Sequence, residues 1–389
     1  MRRSAALAAV LTILVTAVGC SRDDDTSDAR LSVQGIAEVN GRGERPSQVD
    51  DDRSLSVGDR VRVLAGTAVV RLGGERQLEL REGTTIELAG EPQEPVRPEL
   101  VDGPLLVVTA TGHPLTVTST GTEILVTGAT RVSRASELLV ATYSGSTEVT
   151  SAGRTMSVPA FRKITVPAVG PPAERPTPVE YDAADPWDQR LLGEAVDLGA
   201  QLVAKSRGFT AQSASGQNRA PADFRRLLPG LEAEPAFDTL FDPARAAGET
   251  LVGASVVLES RKGAFADRWA AVFGFRGDGA DWGFVALDQG VGRSAVLRLI
   301  DGAIGRAPTP VFAGGTVPPT TSRPTPTTAP RGRPSPAPTS PPPVSPATTL
   351  PPSAPPTTQP LLNTGTPVDE TVNSLLDALN GLLRGLGGG

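Results

Sequence analysis

Two runs of sequence decide the fold: VGDRVRVLAGTAVVRLGGERQLELREGTTIEL, residues 57–88, and GPLLVVTATGHPLTVTSTGTEILVTGATRVSRASELLVATYSGSTEVTSAGRTMSVPAFRKITV, residues 103–166. Short stretches of Val, Leu, Ile and Thr alternate with polar residues, the pattern of strands with one buried face. Glycines interrupt them at intervals of roughly eight to ten residues: Gly58, Gly66, Gly74, Gly83, Gly103, Gly112, Gly121, Gly145 and Gly153. Such spacing predicts tight turns between many short strands, and nothing here keeps a helical period. The unit 55–166 therefore reads as an all-β domain, solenoid-like or sandwich-like.

The same residues resemble the FecR domain, an extracytoplasmic β-domain of bacterial FecR-type proteins. The resemblance rests on Val57-Gly58-Asp59 at the opening, on the strand Gln77-Leu78-Glu79-Leu80 before Gly83-Thr84-Thr85-Ile86, and on Thr109-Ala110-Thr111-Gly112 with Gly121-Thr122. A final strand pair over 138–149 completes it. Ala110 stands where the family usually has proline, and Ile124 replaces its usual aromatic. The resemblance implies an extracytoplasmic module without catalytic residues. Family members pass a signal to a sigma factor through a cytoplasmic amino-terminal region and a membrane span. Neither is seen in this sequence, so signal sensing through a membrane-spanning partner is the alternative role.

The amino terminus supplies an address. Met1-Arg2-Arg3 is positive, and residues 5–18 are apolar but shorter than the roughly 20 residues of a membrane span. Ala17-Val18-Gly19-Cys20 then looks like a lipobox. Cys20 is the chain's one cysteine, so no intramolecular disulfide forms, and its place after small residues marks it as the lipid acceptor. The expected location is the extracytoplasmic face of a bacterial membrane, with the membrane itself as partner through the lipid on Cys20. Residues 21–54, carrying Asp23-Asp24-Asp25 and Asp50-Asp51-Asp52, read as an acidic flexible tether.

Beyond the β-domain, prolines 167, 171, 172, 176 and 178 mark a linker over 167–178. The unit 179–306 opens with Asp185-Pro186, an N-cap and a first-turn proline, before a helix carrying Leu191, Leu192, Ala195, Val196, Leu198, Leu202 and Val203 on one face. Shorter helices are expected near Pro221 and Pro235. Strands are expected over 251–259, 269–275, 282–287 and 295–300, the middle two joined in a hairpin, which makes this unit a small α+β domain. Trp187, Trp269 and Trp282 all fall here and read as core packing, with a sugar-stacking platform as the alternative.

Residues 307–365 are rich in Pro, Thr and Ser, a composition that favours an extended, disordered stalk. At 366–389 an amphipathic helix is expected, with Leu375, Leu376, Leu379, Leu382 and Leu383 as a docking stripe for the chain's own domains, a second copy or another partner. Arg384 is the one cation of its polar face, which disfavours a membrane surface.

Composition narrows the function. Net charge is −6, with 37 basic against 43 acidic residues, unlike a nucleic-acid-binding surface. A single histidine, His113, limits base and metal chemistry and reads as a turn residue. Arg276-Gly277-Asp278 matches an adhesion tripeptide at an expected turn, and Asp278, Asp281 and Asp288 read as turn aspartates rather than a calcium loop. Asp182, Asp185 and Asp188 include a spacing open to a glycosidase pair, although helix capping accounts for them. No catalytic motif, small-molecule cofactor or metal is expected. The reading is a non-catalytic envelope lipoprotein that binds or scaffolds an envelope protein or cell-wall polymer, with a glycan-active enzyme as the remote alternative.

Overall fold

The computed structural model describes residues 29–41, 43, 45–90, 96–213 and 220–307. Cys20, the stalk over 308–365 and the expected tail helix with Leu375, Leu376, Leu379, Leu382 and Leu383 lie outside the described residues.

Thirteen strands form one connected sheet that is creased and folded over on itself. Five of them are long: β1 (Ala29–Asn40), β4 (Arg60–Leu72), β7 (Arg97–Thr109), β9 (Thr122–Arg134) and β10 (Leu138–Ser151). The others are β2 (Ser47–Val49), β3 (Arg53–Leu55), β5 (Arg76–Arg81), β6 (Thr85–Ala89), β8 (Leu115–Ser119), β11 (Arg154–Pro159), β12 (Arg162–Val166) and β13 (Thr177–Pro178).

Each long strand changes partners halfway. The first half of β7 pairs with β6, and its second half pairs with β5 and β9. In the same way β10 pairs first with β12 and then with β11, while running beside β9 throughout. The halves thus belong to two leaves, with corners made by strands that bend from one to the other. One leaf runs β13, β12, β10, β9, β7, β5, β4, β1, β3. The other runs β11, β10, β9, β8, β7, β6, β4, β1, β2.

The crease explains the glycines. Gly74, Gly83, Gly112, Gly121 and Gly153 sit in turns, as the spacing predicts, but Gly66, Gly103 and Gly145 lie inside long strands. Gly128 and Gly145 face each other across β9 and β10, and Gly35 faces Gly66 across β1 and β4. A Cβ on Gly145 would lie 1.7 Å from the Thr127 carbonyl oxygen, and one on Gly128 would lie 2.3 Å from that of Ser144. Two strands can fold sharply together only where neither carries a side chain into the bend. Eight of the thirteen strands are short, as expected, and the other five are long because three of the nine glycine signals mark corners rather than ends.

Between the leaves lies an aliphatic core. Leu31, Val70, Leu78, Leu105, Val107, Val132, Val140 and Ile164 from one leaf meet Val61, Ile86, Leu88, Leu100, Val117, Ile124 and Val149 from the other. No aromatic residue occurs between Ala29 and Thr142. The expected acidic tether over 21–54 is corrected here: β1, β2 and β3 occupy much of it and belong to the sheet. The short length of β2 and β3, and the acidic run Asp50-Asp51-Asp52 between them, mask their strand signal.

The remaining unit is helical: α1 (Pro186–Gln212), α2 (Pro221–Leu227), α3 (Phe237–Leu240), α4 (Ala247–Glu259), α5 (Phe265–Gly277), α6 (Trp282–Asp288) and α7 (Arg293–Arg306). The α+β expectation for 179–306 is corrected accordingly, since all four expected strands are helices α4 to α7 and the expected hairpin is the turn between α5 and α6. Helix α4 misleads because it is buried on every side from Thr250 to Val257. A helix wrapped by α1, α5 and α7 carries no polar stripe, and its run LVGASVVL is indistinguishable by period from a buried strand. Close helix crossings demand small residues: a Cβ on Gly283 of α6 would lie 1.7 Å from the Ala195 carbonyl oxygen of α1.

Candidate functional site

The helical unit sits on the outer face of one leaf. Along β7 the residues Leu105 and Val107 point between the leaves while Leu106 and Val108 point outward, and all four are buried. Leu106, Val108, Ala129, Ala141 and Tyr143 form one continuous core with the helices, joined by Phe161 stacked on Phe284 at 5.4 Å. This leaf is the covered leaf, and the other, whose outer face is exposed, is the open leaf.

Polar groups rim that core and tie the two units together. Asp185 caps α1 by accepting the Trp187 backbone N–H at 2.8 Å, and it also accepts from Arg81 Nη2 at 2.7 Å and Arg131 Nη1 at 2.8 Å. The Arg81 guanidinium lies 3.4 Å over the Trp187 ring. Trp187 Nε1 donates to Glu79 at 2.9 Å, and Arg190 Nη2 donates to both Glu79 oxygens at 2.8 Å. Tyr143 donates to Asp188 at 2.6 Å, whose other oxygen accepts the Asp182 backbone N–H at 2.9 Å. On β12, Arg162 donates to Asp288 at 2.7 Å and lies 3.7 Å over Phe275.

The electrostatics follow from this clasp. Burial alone would raise the Asp185 carboxyl, but the hydrogen bonds from Arg81 and Trp187 and the charges of Arg131 and Arg81 outweigh it and hold it below its ordinary value. Burial, with the hydrogen bond to Asp188 and its charge, pushes the Tyr143 hydroxyl well above its ordinary value against the opposing effect of Arg131.

The residues singled out from sequence are dispersed by this arrangement. Asp185 and Asp188 are engaged in the clasp, while exposed Asp182 turns its carboxylate to the Ala184 N–H at 2.8 Å. Asp281 caps α6 by accepting from Gly283 N at 2.9 Å, Asp278 faces Arg175 at 3.7 Å, and Asp288 meets Arg162, so the three do not converge. Arg276 of the tripeptide bonds Glu249 at 3.3 Å and the Ala280 carbonyl at 2.8 Å. His113 is an exposed turn residue whose N–H donates to Ala110 O at 3.1 Å. Trp187, Trp269 and Trp282 are all buried, which leaves no stacking platform. Among the described residues no group of three or more His, Cys, Asp or Glu is placed to hold a metal, and no helix is long and apolar enough to cross a membrane.

Sequence reading missed a concave surface on the open leaf. A groove of 660 Å³ is lined by Glu38 and Asn40 of β1, Arg60 and Arg62 of β4, Thr85 of β6, Val101 and Asp102 of β7, and Arg134 at the end of β9. Its register is direct: Glu38 pairs with Arg62, Asn40 with Arg60, Arg62 with Thr85, and Thr85 with Asp102. Alternation along β4 sends Val61 and Val63 into the core and leaves both arginines outside. The signal in the sequence was the Arg-Val-Arg-Val run, which by itself marks only a solvated strand face.

No family model and no curated protein matches the chain. Among solved structures, two crystal structures of a "putative anti-sigma factor" from Parabacteroides distasonis, at 1.65 Å and 2.50 Å resolution, are similar to part of it. Identity is 19% and 18%, the TM-scores are 0.26 and 0.27, and in both the match covers 30% of this chain and 59% of that one, less than two thirds of its length.

Proposed function

We propose that this chain is a non-catalytic, extracytoplasmic binding module of the bacterial envelope, tethered by a lipid on Cys20. The observation that carries the reading is the use made of its chemistry-bearing residues. Asp185, Asp188, Glu79, Asp288 and Tyr143 are buried or half-buried groups of the kind that acid–base work uses, and each is held by a partner across the join between sheet and helices. They serve to fuse two units into one body, and the open leaf remains as the broad polar surface facing outward. A lipid anchor below, a rigid two-unit body and a Pro-rich segment leading to an amphipathic end make a device for holding a partner at a distance from the membrane.

The test is crosslinking in living cells followed by affinity capture, with the full chain, an Asp185→Asn/Asp188→Asn variant and a chain ending at Pro360. The binding reading expects a specific envelope partner or polymer to be captured by the full chain and by the double variant wherever that variant stays folded. Turnover of an envelope glycan by the purified full chain, abolished in the folded double variant, would contradict it. Mass spectrometry of the mature protein is expected to find diacylglyceryl on Cys20, and a free, unlipidated amino terminus would remove the anchor from the account.

A further inference from the structure

The groove on the open leaf offers charge that the fold itself does not use. Every arginine of the clasp faces an acid within the molecule, whereas among the described residues Arg60 and Arg62 make no ion pair. Both are exposed, and they stand two residues apart on the same side of β4, a separation of about 7 Å. Arg134, at the groove's other wall, is steadied by donating to the Leu100 carbonyl at 3.4 Å. Two unpaired guanidinium groups, with a third facing them, form a site for oxyanions, because the planar fork matches the geometry of phosphate. The groove of 660 Å³ that the three arginines line has room for more than one phosphate. Glu38 and Asp102 line the same groove. Carboxylates repel a compact anion but accept hydrogen bonds from hydroxyls. The combined surface favours a molecule that alternates phosphates with hydroxyl-bearing carbons.

We propose that the groove lined by Arg60, Arg62, Arg134, Glu38 and Asp102 binds a phosphate-bearing polyol chain, with the arginines on its phosphates and the carboxylates on its hydroxyls. This rests on the reading of the protein as a binding module and gives that module a face and a ligand class.

The test is calorimetric titration of the full chain at low salt with a poly(glycerol phosphate) oligomer and, separately, with inorganic pyrophosphate. Saturable binding of the oligomer is expected, weakened at least tenfold in an Arg60→Gln/Arg62→Gln variant and unchanged by Arg261→Gln on the exposed loop between α4 and α5. A steep loss of affinity with added salt is expected, as charge pairing requires. Glu38→Gln should weaken the oligomer by removing a hydroxyl acceptor and tighten pyrophosphate by removing a like charge. The replaced side chains are at the surface, so the melting temperatures of the variants should match that of the parent. No saturable binding, or undiminished affinity in the double arginine variant, would overturn the site. Pyrophosphate binding as tightly as the oligomer would overturn the polyol assignment. Partner capture in cells that survives the double arginine change would overturn the groove while leaving the broader binding reading intact.

Discussion

The two leaves share their five long strands, yet their outer faces have opposite fates. On the covered leaf the outward positions of β7, β9 and β10 are Leu106, Val108, Ala129, Ala141 and Tyr143, and helices close over them. On the open leaf the outward positions of those same strands are Glu99, Val101, Glu123, Leu125, Thr127 and Glu148, which are exposed or half-buried. A β-strand presents alternate residues to opposite faces, so the inward residues are alike in both leaves and the outward ones alone choose the environment. The aromatic residues follow the same division. The core between the leaves is aliphatic, whereas the helical unit packs Phe224, Phe237, Phe241, Trp269, Phe273 and Trp282 into one connected cluster. One face of the sheet is therefore a floor for a second unit, and the other is exposed.

Substitutions break this comparison in a graded way. The greatest loss is expected at the crease that both leaves share. Gly145→Val forces a branched side chain onto a positive φ of 72° and into the Thr127 carbonyl. A cost above about 4 kcal/mol is expected, seen as insoluble protein or a melting temperature lower by 10 °C or more. Next comes a matched pair on the two faces. Leu106→Ala on the covered leaf should cost about 2–5 kcal/mol in chemical denaturation. Leu125→Ala, outward on the open leaf, should cost less than about 1 kcal/mol. Equal costs would mean that the helices do not cover the sheet.

The clasp gives smaller, pH-dependent effects. Asp185→Asn leaves Arg81 and Arg131 facing a neutral group and should cost about 2 kcal/mol at neutral pH. The folded Asp185 carboxyl is depressed, so its contribution is fully present above the ordinary carboxylate value near 4 and is lost as pH falls below it. Denaturation midpoints measured between about pH 5 and pH 3 should fall less steeply in Asp185→Asn than in the parent. Tyr143→Phe should cost about 1 kcal/mol through the lost hydrogen bond to Asp188. The raised Tyr143 hydroxyl works in the other direction: its contribution is full below about pH 10 and is lost as pH rises beyond it, so Tyr143→Phe should flatten alkaline unfolding. The least stability change, under about 0.5 kcal/mol, is expected for Arg60→Gln/Arg62→Gln, since neither side chain holds the fold together.

Much of the β-unit is legible in the sequence, because alternation reports which residues face a core regardless of which leaf they occupy. What alternation does not report is the crease. A glycine at a corner and a glycine in a turn look alike until the facing strand is known, and Gly128 and Gly145 become a pair only through the register of β9 with β10. The covering helices left one trace, the uninterrupted Leu105-Leu106-Val107-Val108, a run buried on both faces. In the helical unit the N-cap Asp185 with Pro186 marks the start of α1 plainly, while α4, sealed on all sides, loses the period that identifies a helix. The clasp is spread over Glu79, Arg81, Arg131, Tyr143 and Arg162 on four strands, and no local motif joins residues so far apart. The groove escaped notice for the same reason, since Glu38, Arg62 and Thr85 meet only across strands.

The most direct test of the covered and open faces is thiol accessibility. In a Cys20→Ser background, Val108→Cys places a thiol under the helices and Glu123→Cys places one on the open leaf. Labelling of the folded protein with a water-soluble maleimide is expected to be rapid at position 123 and slower by at least a hundredfold at position 108, where it should await unfolding. Comparable rates at the two positions would show that the helical unit does not close the sheet, and would contradict the account at its centre.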